Sequence, residues 1–113
     1  MKSKEYHTLD DDGCPVVLIE LSNRPGYSAK LDLDDFHKWI TAHRSTNFFA
    51  VTRGRHRIYV GHTLEGRGAL VARTLLRPGP GFVIQHADKD RLNLRRNNLR
   101  LVKLATATRS NSN

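Results

Sequence analysis

At 113 residues, with one cysteine and 38% hydrophobic content, the chain has room for one domain around one modest core. It carries no run of 18 apolar residues that could span a membrane, and MKSKEYHTLDDD is too polar for a signal peptide. Cys14 alone closes no internal disulfide and no cysteine-rich zinc site, which fits a cytosolic setting.

The net charge of +8 is unevenly spread. Residues 1–45 hold six Lys/Arg against eight Asp/Glu, net −2. Residues 46–85 hold six against one and residues 86–113 hold seven against two, so each carries +5. Of those 13 later basic groups, 11 are arginines, whose planar forks suit phosphate oxygens and the guanine edge. A concentration of this kind points to a polyanion surface, against the alternative of an ordinary solvated basic face.

The β-branched run PVVLIEL (15–21) predicts a buried strand. Asn23 to Gly26 has turn chemistry, and 27–31 returns as a second strand. A helix is expected over 32–43, with Asp32 as its cap and Asp34 and Asp35 at the positive end of its dipole. Phe36, Trp39, Ile40 and His43 would form its apolar face. Segments 47–53 and 56–61 read as a hairpin about Gly54, followed by a glycine-rich loop over 64–68. ALVARTLL (69–76) fits a strand, a helix, or a strand passing into a helix turn. RPGPG (77–81) is a firm break. Short strands are expected at 82–85 and 99–102, and a weak helix over 103–110. The expected fold is α+β in one domain over 1–113. A strand, helix and hairpin region (1–68) leads into a C-terminal core (69–113).

The stretch FVIQHADKDRLNLRRNNLRLV (82–102) carries the most specific signal. It resembles the core of the HNH endonucleases, small phage and intron-encoded enzymes with a ββα-metal fold. Their core commonly reads Asp-His-Ile-Asn, a loop with Gly and Asp, then Leu-Asp-Asn-Arg-Arg-x-Asn-Leu-Arg and a helix rich in Asn. Here Gln85-His86-Ala87-Asp88, Lys89-Asp90-Arg91 and Leu92 to Arg100 follow in the same register, without a gap from His86 to Asn98. The likeness extends back through the leader IELSNRPGYSAKLDLDDFHKWITAHRSTNFFAVTRG, so that it covers about residues 18–113.

The resemblance implies a histidine that acts as general base toward water, an asparagine that orients it, and one divalent metal over the scissile phosphate. His86 falls on the base position and Asn98 on the orienting position. The metal positions have lost their donors. The family's Asp before the base is Gln85, its His in the preceding segment is Ala72, and its ligand on the terminal helix is Ala107. A degenerate metal centre is therefore expected, with no cofactor, and Mg2+ or Mn2+ enters only if the chain is an active nuclease. Asp88 and Asp90 are weak substitute ligands, because such loop residues more often bond their own backbone. His56 and His62 read as a solvated or DNA-facing pair on one strand face rather than a two-His metal site. His7 reads as a terminal polar residue, and His37 and His43 as residues of the helix faces.

Arg53, Arg55 and Arg57 alternate through the hairpin, Arg73 adds charge nearby, and Arg95, Arg96 and Arg100 follow in the core. All seven are expected nucleic-acid contacts, Arg95 and Arg100 having equal standing as loop-bracing residues. The aromatic residues fit the core, Tyr59 being the exception, so double-stranded DNA is the expected partner. Three readings stand. They are a DNA-binding protein on an HNH scaffold, an active HNH endonuclease or nickase, and a phage protein that binds an acidic host-protein surface. The family implies a phage origin and hence the cytoplasm of a bacterial host. A homodimer would lengthen a short DNA footprint, though no residue demands one.

Overall fold

The computed structural model describes residues 4–104. The fold is α+β, with eight strands and two helices among the described residues. Strands β1 (Glu5–Leu9), β2 (Pro15–Leu21) and β3 (Arg24–Asp32) form one antiparallel sheet in that order. Helix α1 (Leu33–His43) leads to a second antiparallel sheet of β4 (Phe49–Arg53), β5 (Arg57–Leu64) and β6 (Arg67–Leu70). Helix α2 (Val71–Leu76) follows, then an antiparallel ribbon of β7 (Phe82–His86) and β8 (Leu99–Lys103).

The apolar run of β2 is the spine of the core. Val17, Ile19 and Leu21 are buried with Ala29 and Leu31 of β3, Phe36 and Trp39 of α1, and Phe48. Val60, Val71, Leu94 and Leu99 join the same cluster, so the C-terminal segment packs onto the N-terminal sheet. Trp39 anchors α1 by packing edge-on against Phe48 and donating its indole N–H to the Ser45 carbonyl at 2.9 Å. The helix ends where Arg44 turns left-handed and its N–H bonds the Ile40 carbonyl.

Several expectations need correction. The β2–β3 turn falls at 22–23, and Arg24 to Gly26 already belong to β3. Their turn chemistry serves a bulge instead. The register shifts between Glu20 and Leu21, and Gly26, at φ +89°, donates its N–H to Glu20 Oε2. Asn23 binds the second sheet, its carboxamide both donating to and accepting from the Ala50 backbone. The 64–68 loop is shorter than expected, since β6 begins at Arg67. Of the three readings of 69–76, the strand passing into a helix is the observed one.

Strand β1 was not expected at all. All five of its residues are exposed, so it shows no burial alternation, and it is held by its pairing to β2. The helix expected over 103–110 lies outside the described residues beyond Leu104, and Lys103 itself ends β8. In the hairpin, Gly61 is required by close packing. A Cβ there would lie 2.6 Å from Val51 Cγ2 and 2.8 Å from Phe49 Cε1.

No helix among the described residues is long and apolar enough to cross a membrane.

Candidate nucleic-acid site around His86

The loop after His86 is built from its own side chains. Asp88 Oδ1 accepts the Asp90 N–H and the Asn98 carboxamide, and Oδ2 accepts from Asn93 Nδ2. Asp90 Oδ1 accepts the Leu92 N–H. Asn98 is buried; its Oδ1 accepts the Asp88 N–H, and its Nδ2 donates to Asp88 and to the Asn93 carbonyl. Lys30 N–H bonds the Leu92 carbonyl and Leu94 N–H bonds the Lys30 carbonyl, so the loop docks on β3 as a short parallel bridge. Burial pushes the Asp88 carboxyl up, but its hydrogen bonds outweigh that and hold it below the ordinary range.

The expected Asn98-to-His86 contact is absent. The Asn98 carboxamide is spent on the loop, and no hydrogen bond joins it to the His86 ring. It braces the loop that carries the histidine instead. His86 ends β7, opposite Leu99, with its Nε2 buried and without a hydrogen-bond partner. Burial first, and then the charge of Arg91, lower its pKa below the usual histidine value, with Asp88 and Asp90 opposing.

Two cavities meet at this ring. One, about 220 Å³, is walled by His86, Tyr59, Arg53, Arg73 and Arg91 over an apolar floor that includes Ala72. The other, about 390 Å³, is walled by His86, Tyr59, Gln85, Lys89, Arg91 and Arg100. The Arg53 and Arg91 guanidinium carbons lie 5.8 and 5.4 Å from the Tyr59 ring centre, within cation–π range. Arg91 was not singled out in the sequence, although its place between Asp90 and Leu92 puts it in the docked loop.

The seven expected phosphate-binding arginines divide into three groups. Arg53, Arg73 and Arg100 wall the cavities. Arg55 and Arg57 are exposed on the hairpin, where Arg53 and Arg57 are cross-strand partners and Arg55 sits in the turn. The common facing of Arg53 and Arg57 thus comes from pairing across the ladder, not from a strand running through residue 55.

Arg95 is turned into the protein, which corrects its assignment, while Arg96 is half-exposed and held by an ion pair. Arg95, its side chain 8% exposed, pairs with Asp32 at 2.8 Å, Asp10 at 2.6 Å and Asp12 at 3.0 Å. Those carboxylates, Asp12 first, hold its pKa far above the ordinary arginine value. Arg96 grips buried Asp35 through Nε and Nη2, and its own N–H bonds Asp32 Oδ2. Asp32 stands at the N-cap of α1, but its carboxylate serves Arg95 and Arg96 and makes no cap bond.

His62 is buried, not DNA-facing. It packs edge-on against Trp39 and near His43, with Nε2 2.7 Å from the Thr74 hydroxyl, while His56 lies in the turn and shares no strand face with it.

A metal of the HNH kind would need several hard or imidazole donors converging beside His86. The Asp88 carboxylate and one Asp90 oxygen are committed to loop bonds, and Ala72 offers no donor. No group of three or more His, Cys, Asp or Glu among the described residues is arranged to hold an ion. The described residues therefore do not fit such a metal. Ala107 lies outside them.

Comparison with curated proteins finds no match, and comparison with solved structures finds none either. A match to the HNH endonuclease family model covers residues 78–109, the segment holding β7, the docked loop and β8, and over that segment the chain is similar to the HNH endonucleases.

Proposed function

We propose that this chain binds double-stranded DNA on an HNH endonuclease scaffold whose metal centre has been lost. On this reading β7 and β8 are the two strands of a ββα core, and the arginines around His86 take up backbone phosphates. One observation carries it. Arg53, Arg73 and Arg91 converge on a single cavity with His86, while the carboxylates nearest that ring are held by their own loop. Exposed Arg55 and Arg57 add charge at the hairpin end beside Arg53, and exposed Arg67 lies at the far end of β5. Contacts of this type set affinity and orientation without reading sequence.

A gel-shift titration with random-sequence duplex tests the proposal. With roughly six phosphate contacts, affinity should fall by about three powers of ten between 50 and 200 mM salt. No shift at the lower salt would remove DNA as the partner and favour an acidic protein surface.

One observation favours a second reading, a working nuclease. His86 Nε2 has no hydrogen-bond partner, and burial favours the neutral ring, the protonation state a general base needs.

A further inference from the structure

We propose that the smaller cavity beside His86 is a slot for the base of one nucleotide, the base lying on its apolar floor and the phosphate beside the cations of the neighbouring cavity. The inference rests on the nucleic-acid reading of this site and names the chemical unit it takes.

The floor is the first reason. Leu70, Ala72, Val83 and Leu94 offer no polar group, which suits a flat aromatic base and not a hydrated phosphate.

The rim is the second reason. His86 walls both cavities and its Nε2 has no hydrogen-bond partner, so a turn of the ring would let it bond a polar edge of a base. Tyr59, flanked by Arg53 and Arg91, supplies an aromatic wall at the mouth.

The third reason is the neighbouring cavity. It shares the Tyr59, Ile84, His86 and Arg91 walls and adds Lys89 and Arg100. A base in the first cavity would therefore leave its sugar and phosphate beside the cations of the second. The same unit, a nucleoside monophosphate, could arrive free or as a residue turned out of a duplex.

The test is calorimetric titration of the wild-type chain with the four nucleoside 5′-monophosphates, ribose 5-phosphate and inorganic phosphate. At least one nucleotide should bind about tenfold tighter than ribose 5-phosphate, the gain of a modest stacking contact. Ala72→Phe should erase that advantage by filling the floor. Equal affinity for nucleotide and ribose 5-phosphate, or no binding of either, overturns the proposal. If Ala72→Phe does not fold, the wild-type contrast decides alone. A duplex carrying 2-aminopurine separates the two sources. Brightening on binding assigns the slot to an extruded base, and nucleotide binding without brightening assigns it to free nucleotide. A failed duplex shift beside a positive nucleotide titration would count against the DNA reading and leave the slot standing.

Discussion

Arg95 and Asp32 stand 63 residues apart in the chain and 2.8 Å apart in the fold. Around that bond Asp10, Asp12 and Arg96 complete a network that ties the acidic N-terminal sheet and α1 to the C-terminal core. The charge asymmetry of the sequence is thus partly internal. Some of the later arginines neutralise the earlier aspartates, and the rest are left for a partner.

Removing Arg95 should destabilise the protein. Arg95→Met leaves Asp10, Asp12 and Asp32 close together without their shared cation, and their mutual repulsion then opposes the fold. Urea denaturation should show a lower midpoint with an unchanged slope. Adding Asp10→Asn and Asp32→Asn should recover part of the loss, because the stranded charges go with them. A variant as stable as wild type would mean that the network does not join the two halves.

The outward arginines should behave differently. Arg53→Ala, Arg55→Ala, Arg57→Ala, Arg73→Ala and Arg100→Ala should each leave stability within about 0.5 kcal/mol, their side chains lying at the surface. Each should weaken duplex binding and reduce the salt slope by about one. Slopes unchanged in all five variants would show that DNA does not lie on this face.

Acid should unfold the protein in two stages. His62 is lowered by burial and then by His43, and His86 by burial and then by Arg91. Their folded values lie below the ordinary 6.5, so the unfolded chain takes up these protons first. The stability they contribute is full above about pH 6.5 and declines as pH falls through their folded values. Asp10, held at about 2 by Lys30 and then Arg95, and Asp12, lowered by Arg95, give a second stage below the ordinary 3.8. Thermal melts across pH 8 to 2 should show both declines, and His62→Gln should shrink the first. A melting temperature flat from pH 7 to 5 would contradict the buried, neutral state of His62.

Asn98→Ala should act on the loop before it acts on any chemistry. It removes the carboxamide that bonds Asp88 twice and the Asn93 carbonyl once, at a cost of about 2 kcal/mol. Amide exchange over 88–95 should accelerate. Unchanged protection there would mean that the side chain has a role other than bracing.

Much of this architecture was legible in the residues themselves. PVVLIEL announces β2, the acidic start and spaced aromatics announce α1, and Gly54 announces the hairpin, because each signal is local. The register from His86 to Asn98 located the core loop. Other features were illegible for equally physical reasons. Strand β1 exposes all five of its residues and is specified by long-range contacts, its pairing to β2, His7 against Phe36 and Glu5 with Thr46. The inward turn of Arg95 depends on carboxylates 63 and 85 residues away, and no spacing rule reports such a pair. The period-two pairing of His56 with His62 failed because the hairpin turn takes in His56, and His62 is drawn inward by Trp39 and Thr74.

The central claim is that the arginines around His86 hold duplex DNA at a site without the donors for a metal. Incubation of the protein with supercoiled plasmid and Mg2+ or Mn2+, resolved both for mobility shift and for nicked product, tests it most directly. The account predicts a salt-sensitive shift with the plasmid left supercoiled. Metal-dependent nicking that disappears in His86→Ala would contradict it.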